Sequence, residues 1–284
     1  MIYNTNLFKL GTLLKMISMN INIYSIFNHF RLLLKLSTKC FTAFGIFIAI
    51  CLISSLTLKT NTDHIRTGDN FFTQMRYRDA IAWYLLDSTN AEAQWKIARA
   101  YICYADNAQR SEKEINFRRA ESAARKCIQL DEMNSNGHTW KAAALGNIAI
   151  YEGSKSKVRL CNEIKRELLR AIQLNPKDDL AYSILGTLYR EIGKISWIEK
   201  ELALAFIGKI PEGGFDESQT SLRQAVSLNS KIMRHWFELG LLYKYWDKEA
   251  AAIAALTKAK SCPIIVSSDQ AKLAKINALL EELK

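Results

Sequence analysis

A short pattern that recurs along the chain constrains the fold more than any other feature. A small residue is followed three positions later by a tyrosine in "IARAY", "ILGTLY" and "ELGLLY", at Ala98, Gly186 and Gly240. A related segment, "AALGNIA", places Gly146 and Ala149 at the same spacing. Small side chains at such positions let two helix backbones approach closely, because a larger side chain would hold them apart. The pattern therefore predicts pairs of closely crossing helices.

A second landmark indicates the partner helix of each pair. Gly68 is followed by Ala80, and Gly240 by Ala252, at one and the same interval. The second helices end in related exits, "KCIQLDEMN", "RAIQLNPKD" and "QAVSLNS". These spacings are typical of tetratricopeptide repeats, in which helix pairs stack into a solenoid. We predict an all-α, tetratricopeptide-repeat-like right-handed superhelix of about five helix pairs over residues 63–265, closed by a C-terminal capping helix over residues 266–284.

Three of the predicted units are longer than the others. In these units the second landmark follows the first at a wider interval, in the pairs Ala98 and Ala120, Gly146 and Ile164, and Gly186 and Ser218. The largest excess falls in the apolar stretch "REIGKISWIEKELALAFIGKIPEGG", Arg190–Gly214. We expect this stretch to extend the first helix of the fourth unit. Pro211, Gly213 and Gly214 would then end that helix and turn the chain back.

Charge and motif content narrow the possible functions. The net charge is +11, but residues 1–40 hold five basic residues and no Asp or Glu. The remainder of the chain has 34 basic and 28 acidic residues, a net charge of +6. Nucleic-acid binding is not predicted, because it needs a concentrated basic stripe. The six cysteines and four histidines show no metal-ligand spacing, and no nucleotide-binding or catalytic motif occurs. We expect neither an enzyme nor a cofactor.

The N-terminal part of the chain has the composition of a targeting segment. Residues 1–40 form a basic leader, and residues 41–58, "FTAFGIFIAICLISSLTL", contain no charged side chain. The length of this uncharged run fits a transmembrane or signal-anchor segment, or a signal peptide cleaved near Ser55. The preceding basic residues would keep the N-terminus cytosolic and place the repeats across the membrane. An organelle-targeting leader and a buried core helix are the alternatives, and Met16 or Met19 is an alternative start.

Four segments together resemble one known family. They are "WKIARAY", "GSKSKVRLCNEIKRELLRAIQLNP", "GKISWIEKELALAFIGKIPEGGFDES" and "KAKSCP", and the resemblance to the regulator of microtubule dynamics family covers roughly residues 64–265. The sequence looks most like bacterial members, often with a signal sequence, which would place the repeats in the periplasm. Animal members imply mitochondrial or endoplasmic-reticulum surfaces, microtubules and a lipid-binding cavity. A bacterial chain would not inherit the microtubule role.

The concave face of such an array is the expected recognition surface, because the first helices of the pairs line it. Counting one and four to five positions from each small landmark selects Arg99, Asn147, Tyr151, Arg190 and Lys244. Three of these residues are basic, so the groove would suit a carboxylate, an acidic peptide or a lipid headgroup. Ordinary solvated charges are the alternative interpretation.

The insertion carries a second candidate site. Its apolar stripe is wider than one helix pair needs and includes Trp197, Ile198, Leu202 and Phe206. Those side chains would either cover the groove as a lid or form the wall of a cavity for an acyl chain. The sequence therefore favours a non-catalytic, membrane-tethered or exported scaffold that binds a protein or peptide partner. A lipid-binding or lipid-transfer module with a cavity walled by residues 190–210 is the alternative.

Overall fold

The computed structural model describes residues 63–206 and 208–284, which form twelve helices and no strand. The predicted leader, residues 1–40, and the predicted membrane or signal segment, residues 41–58, lie outside the described residues. Among the described helices, none has the length and apolar character that crossing a membrane requires. The helices are α1, residues 63–73; α2, Tyr77–Leu85; α3, Ala91–Asn107; α4, Arg110–Leu130; α5, Ser135–Glu152; α6, Ser154–Leu174; α7, Asp179–Gly193; α8, Trp197–Phe206; α9, Phe215–Leu228; α10, Met233–Tyr245; α11, Glu249–Lys260; and α12, Ser268–Glu282.

The helices pack as five successive pairs and a terminal helix. α3 packs against α4, α5 against α6, α10 against α11, and α7 against α9, so that α8 stands outside the pairing of the fourth unit. α1 and α2 form the first pair, joined by the contact of Gly68 with Tyr84. α12 packs on α11 and α10, where the first helix of a sixth unit would lie. The arrangement confirms the predicted fold class.

The exit motifs end the second helices through side-chain hydrogen bonds. Asp131, Asn175 and Asn229 follow α4, α6 and α9, and each accepts a hydrogen bond from the backbone N–H two residues later, at 3.0, 3.1 and 3.3 Å. Such turns satisfy the backbone where the helix stops. Two of the first helices begin at N-cap side chains. Asn90 and Asp178 accept hydrogen bonds from backbone N–H groups in the first turns of α3 and α7.

The small landmarks lie where two helices cross, as predicted, in the fourth and fifth units. A Cβ added to Gly186 would lie 2.5 Å from Leu222 Cγ and 3.1 Å from the Ser218 carbonyl oxygen. A Cβ added to Gly240 would lie 2.7 Å from Leu256 Cγ. These distances are too short for carbon atoms in contact, so glycine is what permits the crossing.

In the third unit the predicted landmark is wrong. A Cβ added to Gly146 would meet no other atom within 4 Å. The close crossing lies one turn earlier at Ala142, which is fully buried and packs with Ile164, Leu168 and Ala171. The helix start explains the difference, because the crossing residue is the eighth residue of α3, α5, α7 and α10, namely Ala98, Ala142, Gly186 and Gly240. The interval from Ala142 to Ile164 then equals that from Ala98 to Ala120 in the second unit.

The prediction that the insertion extends the first helix of the fourth unit is also wrong. α7 ends at Gly193, and a separate helix, α8, begins at Trp197. The cause is a capping box: the Ser196 N–H donates to Glu199 Oε2 at 2.9 Å, and the Glu199 N–H donates to Ser196 Oγ at 3.3 Å. Ser196 therefore starts a new helix instead of continuing the old one.

The segment after α8 returns along α6 before α9 begins. Lys165 donates to the Glu212 carbonyl oxygen at 2.9 Å, and Asn162 donates to the Lys209 carbonyl oxygen at 2.6 Å. Gly213 adopts a φ of +143°, which favours glycine at this turn. Residues 209–214 are thus held against the third unit, although they belong to the fourth.

The two ends of the described array meet. The Ser267 N–H and hydroxyl both donate to Tyr77 Oη, at 3.0 and 3.1 Å, although these residues are 190 positions apart. Asn107 donates to the Ser267 hydroxyl, and Val266 packs against the core of the first units. The segment before α12 therefore links the fifth unit to the first and second ones.

Candidate partner-binding groove

The inner surface of the array is formed by the first helices of successive pairs. α3 contacts α5, α5 contacts α7, and α7 contacts α10, so these helices lie side by side. In α7 the residues Ser183, Thr187 and Arg190 follow one another at helical spacing on one face. In α10 the corresponding residues are Arg234 and Glu238.

The structure buries Arg190, the most central of the predicted groove residues. Only 5% of its surface is exposed, and Nη1 lies 2.5 Å from Glu238 Oε2 while Nη2 lies 3.1 Å from Glu191 Oε1. Burial alone would raise the pKa of Glu238, but the charges of Arg190 and Arg234 and the hydrogen bond from Arg190 lower it. Glu238 is therefore ionised, and the guanidinium of Arg190 is already neutralised from within.

Arg99 is also held by internal partners. Its guanidinium lies 3.8 Å from the centre of the Phe72 ring, and Nη2 is 3.4 Å from Asp69 Oδ1. Lys96 binds the same carboxylate at 2.6 Å. These contacts join α3 to α1, so the structure assigns Arg99 a place in a network between the first two units.

The other three predicted residues lie apart from one another. Lys244 binds Glu282 of α12 at 2.5 Å. Asn147 is half-buried and donates to the Ala143 carbonyl oxygen of its own helix at 2.9 Å. Tyr151 is half-buried in the last turn of α5, one turn beyond the position that the Ala142 crossing assigns to the groove. The structure thus separates the five predicted residues into different local contacts.

Two residues that the sequence does not single out, Ser183 and Arg234, carry buried polar atoms at the contact between α7 and α10. Ser183 is fully buried, and neither its hydroxyl nor the buried Nε of Arg234 has a hydrogen-bond partner among the described residues. We call Ser183 and Arg234 the donor patch. Ser183 precedes Gly186 by three positions, and Arg234 precedes Gly240 by six. Both positions lie on the groove face of their helices, but the sequence analysis considered only positions after each glycine.

Contacts on both sides locate the donor patch between α7 and α10. Asp179, one turn before Ser183 in α7, accepts at Oδ2 from His235 Nε2, next to Arg234 in α10, at 3.0 Å. Further along both helices, Arg190 lies two turns after Ser183 and binds Glu238, which lies one turn after Arg234. Three of the five buried side-chain atoms without a partner in the described ranges belong to this interface: Ser183 Oγ, Arg234 Nε and His235 Nδ1. Buried polar atoms are normally paired, so their concentration here distinguishes the interface from the rest of the fold.

The donor patch consists of hydrogen-bond donors. A serine hydroxyl and a guanidinium N–H both donate, and Arg234 adds a positive charge that forms no ion pair within the described part of the chain. A carboxylate or a backbone carbonyl oxygen would satisfy both groups. The described residues contain no group of three or more His, Cys, Asp or Glu side chains that could hold a metal ion.

The buried cysteines show no sign of reactivity. Burial raises the pKa of Cys103 to about 12 and that of Cys127 to about 12, and it also raises the pKa of Cys161. A thiol reacts as the thiolate, so these side chains behave as small apolar groups in the helix contacts.

Stacked helix pairs, small residues at each crossing and an inner surface lined by first helices define a tetratricopeptide-repeat-like helical scaffold. A solved structure with this fold, the tetratricopeptide-repeat protein TTC0263 of Thermus thermophilus, matches with a TM-score of 0.57, 16% identity, and coverage of 78% of this chain and 99% of that one.

The chain belongs to the regulator of microtubule dynamics family, because the sequence model described as "Regulator of microtubule dynamics protein 1-3" matches residues 60–284. Regulator of microtubule dynamics protein 1 of Bos taurus is 27% identical over 65% of this chain and 59% of its own length. Regulator of microtubule dynamics protein 2 of Homo sapiens is 25% identical over 68% of this chain and 48% of its own length. The match therefore spans only about half to three fifths of these relatives.

Proposed function

We propose that this chain is a non-catalytic scaffold whose inner surface binds a protein or peptide partner through an acidic side chain at the donor patch. The observation that supports this proposal is the pair of buried donors, Ser183 Oγ and Arg234 Nε, without a partner in the described residues. An unmade hydrogen bond at a buried group costs about 1–3 kcal/mol, and a bound acceptor would recover that free energy.

Charge favours an acidic partner over a neutral one. Arg190 and Lys244 are each paired with a carboxylate of this chain, so their charges are neutralised from within. Arg234 lies near Glu238, whose charge is already shared with Arg190. Between α7 and α10, Arg234 therefore forms no ion pair among the described residues, whereas Arg190 binds both Glu238 and Glu191, and a partner carboxylate would supply one.

A peptide selection tests the proposal. Random dodecapeptides displayed on phage are selected on the immobilised full-length chain, and the enriched peptides are titrated by fluorescence anisotropy. We expect enrichment of Asp and Glu, and at least tenfold weaker binding to Arg234→Gln. Arg223→Gln, which removes an exposed arginine of α9, is the matched control and should bind like the wild type. Selected peptides without acidic residues, or equal affinity for Arg234→Gln, would contradict the proposal.

A second candidate function rests on α8. Ile198 and Leu204, two large apolar side chains of this short helix, are each 54% exposed. Together with Trp197, Leu202 and Phe206 in the same helix, they support the proposal of a groove lid or of a cavity wall that binds an acyl chain. Native mass spectrometry of the purified chain distinguishes the two: a retained phospholipid favours the cavity wall, and its absence favours the lid.

The proposal includes a membrane tether through residues 41–58. Its support is the uncharged run behind a basic leader. The repeats would then lie on the non-cytosolic side, the periplasm of a bacterium, or at a mitochondrial or endoplasmic-reticulum surface. Extraction of membranes with alkaline carbonate tests the tether, because a deletion of residues 41–58 should move the chain from the pellet to the supernatant. A full-length chain found in the supernatant would contradict it.

A further inference from the structure

The lengthened second unit contains a cleft on a different part of the molecule from the donor patch. In this unit α4 has 21 residues, whereas α2 of the first unit has only nine. The cleft has a volume of about 530 Å³ and is lined by α2, the end of α3 and the start of α4. Much of its wall is the segment "DNAQRSEKEINF", residues 106–117, the first length excess in the sequence.

Two arginines stack on two tyrosines in this cleft. The guanidinium of Arg78 lies 5.1 Å from the centre of the Tyr104 ring, and that of Arg119 lies 5.9 Å from the centre of the Tyr101 ring. Asn116 is 2% exposed and accepts a hydrogen bond from Arg119 Nη1 at 3.3 Å. Stacking uses the faces of the guanidinium groups and leaves most of their N–H edges available for an acceptor.

The charges of the cleft are not balanced from within. Neither Arg78 nor Arg119 forms an ion pair with any residue in the part of the chain that the structure describes, whereas Arg118 and Arg125 of the same helix α4 do. One carboxylate, Glu112, lines the cleft, so the lining carries a net charge of +1. Ile81 and Ile115 add an apolar wall, and Ile115 is 51% exposed.

We propose that this cleft, named here the α2–α4 cleft, binds a peptide segment in which a carboxylate side chain is flanked by apolar residues. The carboxylate would accept from the edges of Arg78 and Arg119, and the apolar neighbours would contact Ile81, Ile115 and the tyrosine rings. The chain's own N-terminal segment does not fit, because residues 1–62 contain no Asp or Glu and six Lys or Arg. The occupant is therefore an acidic segment of another protein.

Fluorescence anisotropy with a designed peptide tests the cleft. The probe is a fluorescein-labelled hexapeptide of alternating Leu and Glu, and a peptide of alternating Leu and Gln is its neutral counterpart. The protein is the full-length chain in a mild detergent. We expect saturable binding of the acidic peptide and at least fivefold weaker binding of the neutral one. The double variant Arg78→Gln/Arg119→Gln should lose at least fivefold in affinity, and so should Ile115→Ser.

Three control measurements separate this site from the donor patch and from other occupants. Arg125→Gln, on the same helix but outside the cleft, should bind like the wild type. Arg234→Gln should retain the cleft-dependent binding. Equal affinity for both peptides, or undiminished binding by the double variant, would overturn the proposal. Binding that depends only on Arg234 would overturn it and leave the donor patch supported. A change in sedimentation from dimer to monomer in the double variant would assign the cleft to a second copy and overturn the proposal too.

Discussion

The third and fourth units carry the same Leu-Gly step in their first helices, yet the two glycines have different roles. Gly186 lies at the crossing of α7 and α9, where an added Cβ would lie 2.5 Å from Leu222 Cγ. Gly146 lies one turn beyond the crossing of α5 and α6, and an added Cβ would meet nothing within 4 Å. Distance from the helix start, and not the local motif, therefore locates the crossing.

The buried ion pairs of these two units differ in which helices they join. In the third unit, His138, Lys141 and Glu167 join α5 to α6, within one helix pair. In the fourth unit, Arg190 of α7 binds Glu238 of α10, which belongs to the next pair. The first cluster stabilises a unit, and the second fixes the relative position of two units beside the donor patch.

The largest effect is expected from removing Glu238. Glu238→Ala removes the buried carboxylate of the Arg190 guanidinium and leaves it only the half-exposed Glu191, and breaking such a buried pair costs about 3–5 kcal/mol. Urea unfolding followed by circular dichroism measures the loss. Glu201→Ala, at an exposed position of α8, should change stability by less than about 0.5 kcal/mol. Similar losses for the two variants would show that Arg190 does not depend on Glu238.

The pair of glycine substitutions tests the crossing directly. Gly186→Ala should destabilise the fold by about 1–3 kcal/mol, because the new methyl group overlaps Leu222 and the Ser218 carbonyl. Gly146→Ala should stabilise it by about 0.5–1 kcal/mol, because alanine is the better helix former and the space is open. Thermal unfolding of both variants measures the difference. Equal effects would contradict the assignment of Ala142 as the crossing residue of the third unit.

The pH dependence of stability tests the cluster within the third unit. Burial alone would raise the pKa of Glu167, but hydrogen bonds from His138 and Lys141 and the charge of Lys141 lower it to about 2. Because the folded-state pKa lies below the unfolded one, this stabilisation is complete above about pH 5 and is lost as the pH falls towards 2. Glu167→Gln should therefore cost about 2 kcal/mol at pH 7 and little at pH 2. A cost that is independent of pH would contradict the ionised cluster.

The smallest effect is expected at the contact between the two ends of the array. Tyr77→Phe removes the oxygen that accepts from the Ser267 N–H and hydroxyl, so it should cost about 1 kcal/mol. Hydrogen exchange should then accelerate in residues 263–269 and not in α5 to α7. Tyr245→Phe, at a 46% exposed tyrosine, is the control. Unchanged exchange in residues 263–269 would show that this hydrogen bond does not hold the ends together.

The sequence predicted the helix pairs because crossings and exits depend on local residue size and turn chemistry. The third crossing was misplaced because Gly146 has the same Leu-Gly context as Gly186, although the start of α5 at Ser135 assigns the crossing to Ala142. The start of α8 was predictable, since "SWIE" is a capping-box sequence. The contact between Tyr77 and Ser267 was not, because it depends on the curvature accumulated over all five pairs. The donor patch required the register between α7 and α10, which a single sequence does not contain.

A structure of the full-length chain with one selected acidic peptide would show whether the donor patch binds a partner. We expect a peptide carboxylate within hydrogen-bond distance of Arg234 Nε and Ser183 Oγ, between α7 and α10. A peptide bound away from the donor patch, with Arg234 and Ser183 left as they are in the unbound chain, would contradict it.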